Sequence, residues 1–188
     1  RIPPTLLISR FGIVDDVHRC VTMDAKTSGS SLVLVGETTG AMGGSQFADL
    51  YPVSGQDPAL PEPDLDAGPA TARAVAAAIA AGLVRSAHDC SEGGVLVAAA
   101  EMAFAGGLGL AVELESVHPD PLVAAFAETP GRYLLEVRDE DVSALEDALG
   151  AAVCRVIGRF DDRGRFACNG CDASVDELRD LWSGTINW

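Results

Sequence analysis

The chain has 188 residues, of which 48% are hydrophobic and 22% charged, enough apolar content for a packed core and too much for a disordered segment. Thirteen basic against 28 acidic residues leave a net charge of −15, which repels phosphate backbones and anionic lipid and sets nucleic acid and membrane surfaces aside as partners. No apolar run reaches the roughly 18 residues of a membrane span, and five irregularly spaced cysteines suit reduced thiols in the cytoplasm better than a disulfide framework.

The chain opens on "RIPPTLLISR", without a Met and without the pattern of a signal peptide, and reads as a piece of a longer protein. Residues 5–14 and 19–25 alternate weakly and predict two strands. "SLVLVG" (31–36) predicts a strand covered on both faces. "GAMGGSQF" (40–47) is a glycine-rich turn opening a short helix, and the proline-rich stretch 52–65 is a surface loop. Asp66 reads as the N-cap of an Ala-rich helix over 69–81, stopped by Gly82.

"VRSAH" is strand-like and leads into "DCSEGG" and a helix over 93–105. "GGLGLAVELE" predicts a turn and strand. Helices near 119–128 and 139–149 then alternate with strands at 132–137 and 152–160, and a hairpin and a helix over 174–183 close the chain. This order predicts an α+β fold: a three-layer α/β/α sandwich with a mixed sheet, with 107–160 in the β-α-β-α-β order of a partial ferredoxin-like unit and 1–188 as a single domain.

The chemistry concentrates in "SAHDCSEGGVLV" (86–97). Asp89, at a strand's end, can ligate Mg²⁺, and Ser91 offers a hydroxyl to a phosphate oxygen or the metal. Gly93 and Gly94 let backbone N–H groups at a helix start approach a phosphate. The plainer alternative is that Asp89 or Ser91 caps the helix and the glycines allow tight packing. Gly43, Gly44 and Ser45 form a second candidate anion nest, whose alternative is a tight turn. Cys168-Asn-Gly-Cys171 has zinc-knuckle spacing without a second pair, and an Asn-Gly hairpin explains it more simply.

"IPPTLLISRFGIVDDVHRCVTMDAKTSGSSLVLVGETTGAMGGSQF", "SAHDCSEGGVLVAAAEMAFAGGLG", "GRYLLEV" and "VDELRDLW" together resemble the second C-terminal-type domain of the phosphoribosylformylglycinamidine synthase family, over nearly the whole chain. The wider superfamily includes aminoimidazole ribonucleotide synthase and selenophosphate synthetase and uses ATP to activate a substrate oxygen. The resemblance implies that Asp89 binds Mg²⁺ and Ser91 contacts a nucleotide, ATP or ADP. It gives Gly43, Gly44 and Ser45 a backbone role. It implies a ligase that converts formylglycinamide ribonucleotide, ATP and glutamine-derived ammonia to the amidine. No catalytic residue is assigned here, because the family's catalytic His lies in its N-terminal-type domains. Those domains and a glutaminase subunit or domain are the implied partners, and the 188 residues alone are expected to be inactive. Cys90 stands where the family has Leu, Val or Arg, and "TSGSS" lacks the family's acidic turn residue. The two other readings are a different ATP-using member of the superfamily, such as an aminoimidazole ribonucleotide synthase-like protein, and a purely structural domain that binds no nucleotide.

Overall fold

A computed structural model describes residues 8, 9, 11–51 and 58–184. Its strands are β1 (Ser31–Val35), β2 (Ser86–Asp89), β3 (Gly109–Val112), β4 (Tyr133–Val137), β5 (Cys154–Asp161), β6 (Arg165–Cys168) and β7 (Cys171–Ser174). The helices are α1 (Gln46–Leu50), α2 (Ala67–Ala80), α3 (Gly94–Gly106), α4 (Pro121–Phe126), α5 (Val142–Leu149) and α6 (Val175–Gly184). The strands form one sheet in the order β2-β4-β1-β5-β3-β6-β7. Every neighbouring pair is antiparallel except β3 and β6, so the sheet is mixed.

Strand β1, inside the sheet between β4 and β5, is buried at all five positions. Successive side chains point to opposite faces, so Leu32 and Leu34 join one core while Val33 and Val35 join another. The first core is filled by Val95, Ala99, Met102 and Ala103 of α3, with Ala124 of α4 and Val175 of α6. The second holds Val75 and Ala78 of α2 and Leu145 and Leu149 of α5. Helices therefore cover both faces, giving the three layers read from the sequence. The β-α-β-α-β order from β3 to β5 is present, and its two helices, α4 and α5, lie on opposite faces. Because α3 lies between the sheet, α4 and α6, it is apolar nearly all round rather than along one stripe.

The expected strands at the start do not form in the described residues. Residues 11–14 are irregular, with Phe11, Ile13 and Val14 exposed, and a 3-10 turn spans Val17–Arg19. Residues 20–25 run beside the sheet on isolated bonds, Ala87 N–H to Thr22 O at 3.2 Å and Ala25 N–H to Met102 O at 3.1 Å, rather than in a ladder. Residues 1–7, 10 and 52–57 lie outside the described residues, which removes part of the expected first strand and of the proline-rich loop. Asp66 occupies the N-cap position of α2 without a capping bond. The carboxylate of Asp64 does that work instead, accepting from the N–H groups of Asp66 (2.9 Å) and Ala67 (2.7 Å). The closing Asn-Gly hairpin is as expected, with Asn169 at φ 47° and Gly170 at φ 83°.

One acidic side chain is enclosed within the sheet region. Glu136 on β4 is fully buried. Its Oε1 accepts from Thr27 N–H (2.8 Å) and Ser30 Oγ (2.9 Å), and its Oε2 from Lys26 N–H (2.8 Å) and Ser86 Oγ (2.9 Å). The carboxylate thus ties the 26–30 loop and the start of β2 to the same strand. Removing it leaves three donors, Lys26 N–H, Thr27 N–H and Ser86 Oγ, short of a partner, while Ser30 Oγ keeps Thr27 O at 2.6 Å. Each donor that water cannot reach costs about 1–3 kcal/mol. Glu136→Leu should lower stability by about 3 kcal/mol and the melting temperature by about 10 °C. The exposed neighbour Glu140→Ala should stay within about 0.5 kcal/mol. Urea titration of both variants checks this, and equal midpoints would show that Glu136 carries no such role.

Candidate functional site

Strand β2 pairs with β4 from Ser86↔Glu136 to Asp89↔Tyr133, and this ladder sets where Asp89 stands. One more backbone bond, Cys90 N–H to Arg132 O at 3.0 Å, holds the chain as it leaves the sheet. It then turns through Ser91 and Glu92, with Gly94 N–H donating to Ser91 O at 3.1 Å. Gly93 and Gly94 have φ of 81° and 69°, a region that side chains disfavour. Gly94 has a second reason to be glycine. A Cβ there would lie 2.6 Å from Ala127 O and 2.9 Å from Ala125 O, so the start of α3 packs directly on the end of α4.

Asp89 and Ser91 come together. The Ser91 hydroxyl donates to Asp89 Oδ2 at 2.7 Å, and this bond is the main reason the Asp89 carboxyl is held below the usual carboxylate range. The Asp89 side chain is 65% exposed, so it presents a negative charge with coordination capacity to spare. Behind it stands His88, with Nδ1 3.3 Å from Asp89 Oδ1 and Nε2 2.7 Å from Glu101 Oε2 on α3. The indole N–H of Trp182 on α6 donates to the other oxygen of Glu101 at 3.1 Å. His88 is therefore a bridge between two carboxylates and braces the site from inside.

The two glycine-rich phrases also meet, through a residue the sequence reading did not single out. Glu128 Oε1 accepts from Gly93 N–H at 2.8 Å and from Gln46 N–H, at the start of α1, at 2.9 Å. The anion held by Gly93 N–H is thus an internal carboxylate. Ser45 caps α1, accepting from Ala48 N–H at 3.2 Å and donating to Met42 O at 2.7 Å, and is buried. Gly43 N–H donates to Ala59 O at 2.9 Å, and a Cβ at Gly43 would lie 2.1 Å from Pro58 O. Only the placement of Glu128 between a helix end and a Thr-Pro-Gly turn could have drawn attention to it.

Asp89, Ser91, Glu92, Glu128, Arg132 and Tyr133 line an open cleft of about 440 Å³. Arg132, 1% exposed, closes its floor. Its guanidinium donates to Thr129 O (3.0 Å), Ala127 O and Thr38 Oγ1 (2.9 Å), with burial pushing its pKa down from the usual arginine value. Cys90 beside it is buried, and burial pushes its thiol up to about 12, so it is no nucleophile. Among the described residues no three His, Cys, Asp or Glu side chains converge as a metal site. Asp89 fits Mg²⁺ as one carboxylate ligand, with Ser91 Oγ beside it, and the rest of the shell would come from phosphate, water or other parts of the protein.

Residues 27–170 match the family model for the AIR synthase related protein, C-terminal domain. The chain belongs to this family. As a whole, this AIR synthase related C-terminal domain is 31% identical over 98% of its length to the phosphoribosylformylglycinamidine synthase subunit PurL of Alkaliphilus metalliredigens (strain QYMF). It spans 26% of that relative's length. Its fold is similar to T. maritima PurL complexed with FGAR, with TM-score 0.73, 24% identity, and 86% of this chain and 30% of that one covered. T. maritima PurL complexed with ADP and with ATP gives TM-scores of 0.66 and 0.65, each at 21% identity over 86% of this chain and 27% of that one.

The two readings of the glycine pair can be separated by stability. Gly94→Ala should cost about 3 kcal/mol, because it adds overlap with the Ala127 carbonyl to an unfavourable φ. Gly82→Ala has a similar φ (78°) in open space and should cost about 1 kcal/mol. Chemical denaturation of the pair measures the difference, and equal losses would remove the packing argument.

Proposed function

We propose that this domain forms part of a phosphoribosylformylglycinamidine synthase, the ligase that makes the amidine from formylglycinamide ribonucleotide, ATP and glutamine-derived ammonia in purine biosynthesis. In that reading the 188 residues are one domain of a longer cytoplasmic protein, working with N-terminal-type domains of the same chain and a glutaminase subunit or domain. The observation that carries it is the 31% identity running through 98% of the chain. The Asp89–Ser91 pair at the end of β2 supports a nucleotide-edge role.

The proposed roles follow the geometry. Asp89 would hold Mg²⁺ through the oxygen face turned to the cleft, with Ser91 fixing the carboxylate and meeting a phosphate oxygen. The metal, when bound, would neutralise phosphate charge. Gly93 and Gly94, lacking side chains, would leave room for a phosphate near the start of α3, although their N–H groups are already held by Glu128 and the Ser91 carbonyl. Gly43, Gly44 and Ser45 would shape the neighbouring wall, held to α3 by Glu128. His88 and Glu101 would keep Asp89 from swinging away.

A second reading is a structural domain without nucleotide. It is favoured by one observation: the N–H groups of Gly93 and Gln46 already have a carboxylate acceptor in Glu128. Asp89→Asn in the full-length protein decides between the two. The nucleotide reading expects loss of bound nucleotide and of its stabilising effect, with the melting of nucleotide-free protein unchanged, since Asn keeps the size and one oxygen. The structural reading expects equal nucleotide content in mutant and wild type, by extraction and chromatography, and that result would overturn the proposal.

A further inference from the structure

The closing hairpin takes no part in the site, yet it places two thiols opposite each other. Asn169 and Gly170 both have positive φ, the type I′ turn that joins β6 directly to β7. The register then sets Cys168 against Cys171 as the last pair of the ladder. Residues directly opposite in an antiparallel pair put their side chains on the same face. The hydrogen-bonded pair that closes a two-residue turn has Cα atoms about 5.5 Å apart, inside the window of about 4.4–6.8 Å that a disulfide spans. Cys20, Cys90 and Cys154 have no such partner: Cys154 faces Val35, and Cys20 and Cys90 lie outside the strands.

The two thiols are unequal. Cys171 is exposed on the last strand of the sheet, while Cys168 is buried among the apolar side chains under α3 and α6. Burial raises the Cys168 thiol first, and the neighbouring Cys171 adds to the rise, as expected for two groups in close contact. One thiol can thus meet a reagent in solution and the other can only meet its neighbour. This is the arrangement of an attacking and a resolving thiol.

We propose that Cys168 and Cys171 form a reversible dithiol–disulfide site whose oxidant is a small disulfide such as glutathione disulfide. The Cys171 thiolate attacks one sulfur of the reagent, forming a mixed disulfide and releasing one glutathione thiolate, which takes up the proton that Cys171 lost. Cys168 gives its proton to solvent and attacks the Cys171 sulfur, releasing the second glutathione. Two protein thiols are oxidised and one glutathione disulfide is reduced to two thiols. Opposed Cβ atoms stand about 4.5–5.5 Å apart in a ladder, against about 3.5–4.5 Å in a relaxed disulfide. The hairpin must therefore tighten to close the bond, and excess glutathione reopens it.

The test uses the full chain, equilibrated in glutathione buffers from reducing to oxidising, quenched with an alkylating reagent and cut with trypsin. Cleavage after Arg165 and Arg179 leaves both cysteines on one peptide, 166–179. The expected result under oxidising conditions is a peptide lighter by two hydrogens, with alkylation lost at both positions together and regained in excess glutathione. Cys168→Ser should instead leave Cys171 carrying glutathione, and Cys171→Ser should leave Cys168 reduced. The wild-type peptide alone decides the matter. If it is recovered alkylated, or with glutathione held on Cys171 at equilibrium, there is no such bond and the proposal falls.

Discussion

Glu136 is the interaction on which the rest of the sheet depends. A buried carboxylate is costly unless its oxygens find donors, and among the described residues this one is met by two backbone N–H groups and two serine hydroxyls rather than a salt-bridge cation. Those donors come from the loop before β1 and from the start of β2, so the carboxylate fixes both against β4. Strand β2 carries Asp89 three residues further on, so this carboxylate also sets the height at which Asp89 emerges.

The site itself is built largely from groups that satisfy one another. Glu128 takes the two N–H groups at the starts of α1 and α3, where the helix dipoles favour negative charge. Arg132 spends its donors on two carbonyls and a hydroxyl of the surrounding loops. What remains available to a ligand includes the exposed face of Asp89 with the Ser91 hydroxyl beside it. The cleft is hydrogen-bonded below and chemically open above. That division suits one wall of a larger site, in line with a chain that spans about a quarter of its PurL relative.

Much of this was legible where local pattern and burial agree. "SLVLV" reads as a two-sided strand because both of its faces are covered, and Asn169-Gly170 reads as a hairpin because few other dipeptides accept two positive φ angles. The reading failed where alternation has no burial behind it. Phe11 and Ile13 carry strand-like chemistry but face solvent, so nothing there rewards a ladder. Asp64 and Asp66 are indistinguishable as caps in one dimension, since only the path of the turn decides which carboxylate folds back. Glu128 was invisible because its partners lie 35 and 82 residues away. Asp89, Ser91 and the glycine pair stood out by composition, yet the sequence could not say that both glycine N–H groups are already taken, one by Glu128 and one by the Ser91 carbonyl.

The order of the sheet carries a consequence for how the chain is made. Strand β1 lies inside the sheet, yet both of its partners are late in the sequence: β4 begins at Tyr133 and β5 at Cys154. At ribosomal speeds of about 5–20 residues per second, Leu32, Val33, Leu34 and Val35 leave the tunnel on the order of 10 s before either neighbour exists. Pairings this distant also close slowly once all parts are present. The most apolar of the described strands is therefore the one that waits longest in the open, and it is the segment a chaperone would be most useful for shielding during synthesis.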